Sequence, residues 1–214
     1  MGRLFAKNNY AKMRPICSAS YADVRAMIIS ILGSMGVGKS TTITELCASN
    51  RGWHRVPEDI YEVLKSVSRD QYSTAYDRFI ATQRSFLERD IKLKNSIALH
   101  ETYVLDNRLT EYLFYAYHHP EFKNRREETK GKLFDLASEI SDVPDLRSFI
   151  LIDDLKNIER KVELDTTRKR GSWGFYAKNM YPFHAEWHKY QGAESVSVTD
   201  KSSGEVANDI LKML

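Results

Sequence analysis

The stretch Gly33-Ser34-Met35-Gly36-Val37-Gly38-Lys39-Ser40 constrains the fold more than any other part of the chain, because it fits the G-x-x-x-x-G-K-[ST] pattern of a phosphate-binding loop. Its flanks suit such a loop. Met27-Ile28-Ile29-Ser30-Ile31-Leu32 is an apolar run of strand length, and residues 41–46 open a helix with Ile43 and Leu46 on one face. Strand, glycine loop and helix N-terminus together make an anion site, since backbone N–H groups converge there and the helix dipole adds partial positive charge. The glycines permit the tight turn and the close approach of backbone to phosphate. The loop and Thr41 are therefore expected to wrap ATP or GTP, with Lys39 reaching the β- and γ-phosphates and the Ser40 hydroxyl binding Mg²⁺.

The 214 residues suit one α/β domain with a substantial core. A net charge of +3 does not by itself point to nucleic acid, because a polyphosphate site also needs cations. Cys17 and Cys47 suggest no disulfide framework, which fits a reducing, cytoplasmic setting. No apolar run approaches the ~20 residues of a membrane span. Arg3, Lys7, Lys12 and Arg14 precede the first acid, Asp23. Such an acid-poor leader is either a mitochondrial transit peptide or a flexible basic tail, and the tail, over 1–25, is the reading favoured.

Further along, residues 55–58 read as a short strand ending in Glu58, 60–67 as a helix, and 72–95 as a long helix with Phe79, Ile80, Phe86, Leu87 and Ile91 on its apolar stripe. Residues 103–105 are a strand followed at once by Asp106-Asn107-Arg108. In open α/β sheets ligands bind beyond the carboxyl ends of strands, so this trio is well placed. A helix is expected over 109–118 and a charged helix or loop over 121–132. Helices over 133–140 and 156–166 enclose a buried strand over 149–152. A basic loop spans 168–174, one aromatic-rich helix 175–190, a last strand 195–198 and a closing helix 208–214. Strands alternating with helices imply a parallel sheet covered on both faces.

Phosphoryl transfer needs positioning and cations more than covalent chemistry. Glu58 has the placement of a general base for an attacking hydroxyl, or of a surface or capping carboxylate. Asp106 and Arg108 would orient substrate or metal. Arg168-Lys169-Arg170, next to Gly171 and Gly174, is either a mobile lid that neutralises transition-state charge or a solvated charge run. Asp153-Asp154 is either a metal-binding acid after a strand or a helix cap, and the cap is the reading favoured. The aromatic stripe of Tyr112, Phe114, Tyr115 and Tyr117 reads as core.

From about Met27 onward the order of these parts resembles the deoxyribonucleoside kinase family, relatives of thymidylate kinase. Val56-Pro57-Glu58 is similar to the family's segment whose glutamate is the base on the substrate 5′-hydroxyl. Thr82-Gln83 falls where a glutamine contacts the nucleobase, and Arg89 where an arginine joins the base site. Asp106-Asn107-Arg108 resembles the acid-arginine motif with its arginine displaced by about one position, and Glu111 falls where a carboxylate touches the sugar 3′-hydroxyl. Arg168 and Arg170 match the R-x-R lid, and Tyr176, His184 and Trp187 the helix after it. The tryptophan usual a turn after the glutamate is absent, and so are the glutamates after the lid arginines.

The resemblance implies a P-loop NTPase three-layer sandwich over 26–214, with a parallel sheet, helices on both faces and a basic lid near 166–175. It implies ATP and Mg²⁺ as cofactors, a nucleoside or nucleotide substrate, a homodimer and no membrane. The leading function is transfer of the γ-phosphoryl of ATP to a (deoxy)ribonucleoside 5′-hydroxyl. The alternatives are a nucleoside monophosphate kinase of thymidylate kinase type, a kinase acting on a hydroxyl within a nucleic acid, which is not favoured, and a nucleotide-binding module without turnover.

Overall fold

A computed structural model describes residues 26–214 apart from 59, 69, 70, 99, 108, 142, 144, 145 and 167–172. Arg108, Arg168, Arg170, the tail over 1–25 and most of the expected lid lie outside the described residues. The chain begins with β1 (Met27–Gly33), α1 (Lys39–Ser49), β2 (Trp53–Val56) and α2 (Ile60–Ser66). Next come α3 (Ala75–Ser96), β3 (Thr102–Asp106) and α4 (Thr110–His118), then a 3₁₀ segment (Pro120–Arg125) leading into α5 (Arg126–Ser141). It closes with β4 (Leu146–Ile152), α6 (Leu155–Leu164), α7 (Trp173–Asn179), α8 (Tyr181–Tyr190), β5 (Glu194–Ser197) and α9 (Ser203–Met213). Among the described residues no helix is long and apolar enough to cross a membrane.

The strands form an all-parallel sheet in the order β2-β3-β1-β4-β5. β1 lies at its centre, and alternation along this strand divides the core. Ile29 and Ile31 face one layer with Ile43 and Leu46 of α1 and Val206 and Ile210 of α9. Ile28 faces the other, with residues of α2, α3, α4 and α5. Leu32, on the same face as Ile28, meets α8 through Ala185. A strand with helices on both sides must be apolar on both sides, which is why β1 reads as a continuous run instead of an alternating one. The expected three-layer α/β sandwich is therefore present.

Three helical expectations need correction. The charged run over 121–132 and the helix over 133–140 share one helix, α5, after the 3₁₀ segment. Its charges pair along the solvated face, Lys130 with Glu127 at 2.8 Å and Lys132 with Glu128 at 3.1 Å. The single helix expected over 175–190 is two, broken at Met180 (φ −123°), with Pro182 in the first turn of α8 where its missing N–H is harmless. The last helix starts five residues earlier than expected, fixed by a reciprocal cap between Ser202 and Glu205.

Candidate active site

The phosphate loop runs from the carboxyl end of the central strand into α1. Gly33, Gly36 and Gly38 have φ of 145°, 77° and 104°. A Cβ on Gly33 would stand 2.8 Å from Val37 Cγ1 and 3.0 Å from the Leu151 carbonyl oxygen, so glycine is required there for space as well as for conformation. Lys39 Nζ donates to the carbonyls of Gly33 at 2.7 Å and Ser34 at 3.0 Å, which folds the ammonium over its own loop.

The sheet order puts the ends of β1, β2 and β3 side by side, and a chain of contacts crosses them. Ser40 Oγ donates to Asp106 Oδ2 at 2.8 Å, and Arg55 approaches the same oxygen at 3.8 Å. The next residue, Asn107, holds a left-handed backbone (φ 55°) and donates from Nδ2 to Glu58 Oε1 at 2.8 Å. Burial pushes the Glu58 carboxyl above its ordinary value of 4.5. The Lys39 ammonium and the Asn107 amide pull it back, while the carboxylates of Asp106 and Glu111 add to the rise.

Behind Glu58 stands Arg89 of α3. Its guanidinium donates to the Glu58 backbone carbonyl at 3.0 Å and to the Tyr112 hydroxyl at 2.9 Å, and lies over the rings of Phe86 and Tyr112. Those two rings stack at 4.4 Å. Two turns earlier on α3, Gln83 is buried with its amide oxygen unpartnered, an acceptor free for a ligand.

The sequence-derived residues thus fall into two groups. Lys39, Ser40, Glu58, Arg89 and Asp106 share one network at the carboxyl edge of the sheet. Glu111, expected at a sugar hydroxyl, is fully buried on α4 with both carboxylate oxygens engaged by His184 and His188 of α8. A sugar hydroxyl would have to displace an imidazole to reach it. Asp153, read as a cap, serves as a tether. It accepts from the Asp154 N–H, Asn157, Lys161 of α6 and Thr199 after β5, while Asp154 at the α6 N-terminus makes no side-chain cap.

Sequence reasoning missed the Asn107 amide, the Tyr112 hydroxyl and His188, and it named His184 without its partner Glu111. Tyr112 carries no signal separating it from a core tyrosine. The i, i+4 spacing of His184 and His188, which puts both on one helix face, was readable.

A further cleft of about 330 Å³ opens between the loop glycines 36 and 38, Thr41, Lys161 of α6, and Val198, Lys201 and Ser203 beyond β5. The chain's residues fit a nucleotide triphosphate with a divalent cation. The loop offers an anion cradle, and the hydroxyl and carboxylate pair of Ser40 and Asp106 is an oxygen donor set suited to Mg²⁺. Asp106 Oδ1 is buried without a partner, as an acceptor reserved for a cation or its water would be.

No protein-family model matches the chain, and no curated protein matches it. Solved structures do. Deoxyadenosine kinase from M. mycoides, with products dCMP and a flexible dCDP bound, superposes with a TM-score of 0.64 at 17% identity, covering 87% of this chain and 97% of that one. The fold is that of the P-loop kinases. Thymidylate kinase from Candida albicans gives 0.59 at 14% identity, covering 88% and 91%. The tunicamycin resistance protein of Deinococcus radiodurans gives 0.52 at 16%, covering 88% and 95%. At these identities the likeness is one of fold, and the chemistry rests on this chain's own residues.

Proposed function

We propose that the chain is an ATP-dependent kinase that phosphorylates the 5′-hydroxyl of a (deoxy)ribonucleoside. The observation that carries the reading is the unbroken series Ser40–Asp106–Asn107–Glu58, which joins the phosphate loop to a half-buried carboxylate through contacts of 2.8 Å. A carboxylate so joined, and raised by burial, suits a base acting beside a phosphoryl donor.

Bound ATP and Mg²⁺ would supply the γ-phosphoryl group and part of its charge neutralisation, held by the loop, Ser40 and Asp106. Lys39 would exchange its two loop carbonyls for phosphate oxygens. Glu58 Oε2, the oxygen that Asn107 leaves open, would take the proton of the 5′-hydroxyl as its oxygen bonds to phosphorus and ADP departs. Asn107 would hold the carboxylate in place, Arg89 and Tyr112 would brace its backbone, and Gln83 would contact the base. Arg108, to orient the hydroxyl, and Arg168 and Arg170, to neutralise developing charge, complete the proposal from outside the described residues.

A second reading, a nucleoside monophosphate kinase, is favoured by Arg89, a cation against the Glu58 segment where an acceptor phosphate would find a partner. An ATP-consumption screen with the four deoxyribonucleosides and their 5′-monophosphates separates the two. Under the first reading nucleosides react and Glu58→Gln loses about 10²–10⁴-fold in kcat, the range for a general base. Turnover of monophosphates alone, with Glu58→Gln within about tenfold of wild type, sinks the base assignment in favour of the second. Lys39→Ala should abolish turnover in either case with the fold intact. The proposal includes a homodimer, supported by Tyr61 and Leu64 exposed on α2 (80% and 45%), and a monomer in sedimentation would remove that part.

A further inference from the structure

The most unusual chemistry outside the phosphoryl-transfer network lies in the core between α4 and α8. Glu111, His184 and His188 are 0%, 2% and 0% exposed. His184 Nε2 lies 2.9 and 2.8 Å from the two Glu111 oxygens, and His188 Nε2 lies 2.7 Å from one of them. Two imidazoles one helical turn apart thus aim the same ring nitrogen at one carboxylate from another helix, and their donor atoms all fall within 4.8 Å of one another. Among the described residues, the imidazoles are the ion-pair partners of this carboxylate, with no lysine or arginine beside it.

Hydrogen bonding alone leaves this cluster poorly balanced. A carboxylate and two imidazoles stand together in a site closed to water, where burying polar groups is costly unless every one of them is satisfied. His188 Nδ1 and the hydroxyl of Tyr176, which is 3% exposed, are both buried without a partner. Tyr176 packs against His184 with ring centroids 6.0 Å apart. Two neutral imidazoles and a carboxylate are a donor set of borderline transition metals, above all Zn²⁺. Tetrahedral ligands at bonds of ~2.1 Å stand ~3.4 Å apart, so an ion needs the carboxylate and the imidazoles to part by roughly half an ångström. A divalent cation would replace the buried negative charge with three strong bonds, and the Tyr176 hydroxyl is a candidate fourth donor.

We propose that Glu111, His184 and His188 form a structural site for a transition-metal dication, Zn²⁺ by preference, that cross-links α4 to α8. The site is separate from the Ser40–Asp106 pair, whose all-oxygen donors suit Mg²⁺. Enclosure on every side gives it no access for substrate, so its role is to fasten α4, the helix that follows β3, to α8, the helix before β5. The inference does not depend on which acceptor the enzyme uses.

The test uses the full chain purified without a metal-affinity tag and without nucleotide. About one zinc per chain is expected by elemental analysis. The chelator-stripped chain should gain about 5–10 °C in melting temperature with Zn²⁺ at a hundredfold excess over Kd. X-ray absorption at the zinc edge should read two imidazole nitrogens and oxygen donors. Co²⁺ should give visible absorption that Zn²⁺ displaces, lost in the His184→Ala/His188→Ala variant. A stripped chain that neither takes up Zn²⁺ nor changes its melting temperature would overturn the proposal, leaving a hydrogen-bonded triad without an ion. A zinc shell without imidazoles, or a Co²⁺ spectrum that survives in a folded double variant, would overturn it by assigning the ion elsewhere. The zinc content and absorption edge of the unmutated chain decide the matter should the variant fail to fold.

Discussion

At Glu58 opposing influences meet on one carboxyl group. Burial raises its pKa, and the Asn107 amide is one of two groups restraining the rise. An N–H donated to the charged form favours ionisation, so deleting it moves the pKa upward. Asn107→Gly removes the amide and leaves the backbone at φ 55° free of strain. If Glu58 is the base, it works ionised, and the acidic limb of the kcat profile is displaced upward from the ordinary glutamate value. In Asn107→Gly that limb should shift to higher pH; a limb that stays in place would separate it from Glu58. At this scale the sequence was legible where a motif fixes neighbours, as with Lys39, Ser40 and Glu58. It was silent where partners are far apart in the chain. The 73 positions between Glu111 and His184 hide their contact, and Glu111 was placed at a sugar hydroxyl by the resemblance, which carries no sign of the histidines beside it.

Elements were legible where one periodicity runs uninterrupted, and less so where charge or aromatic content masks a boundary. The apolar run of β1 and the stripe of α3 have one dominant pattern each. The surface charges of α5 left helix and loop both open because its apolar positions are sparse at the start, and the aromatics of α7 and α8 ran together across a break that Pro182 could have announced. The turn from β1 into α1 makes a sharper point about the loop glycines. Gly33 and Gly38 both have positive φ, so alanine at either is strained by about 1–3 kcal/mol. A Cβ on Gly33 also meets the Leu151 carbonyl of β4, whereas one on Gly38 meets nothing within 4 Å. Gly33→Ala should thus cost more stability than Gly38→Ala in urea unfolding. Equal losses would mean that β1 and β4 part without cost at the loop.

Across the molecule, Asp153 ties together segments that come from different parts of the chain. It leaves β4 and holds Lys161 of α6 at 2.7 Å and the Thr199 hydroxyl at 3.0 Å. Lys161 lines the cleft beside the phosphate loop, as do Val198 and Lys201 on either side of Thr199. The tether therefore fixes the walls of a pocket that no single element builds. Burial alone would raise the Asp153 carboxyl. Lys161, Asn157 and Thr199 more than offset that effect and hold it below its ordinary 3.8. A group depressed in the fold contributes stability above its unfolded value, and that contribution fades as pH falls through the folded value. The stability difference between wild type and Asp153→Asn should be constant above about pH 5 and shrink from about pH 4 downward. ATP should also bind the variant more weakly, because walls free to part must be ordered again by the ligand. A pH-independent gap would show that the carboxylate charge is not what holds the tether. Unchanged ATP affinity would show that the pocket keeps its walls without it.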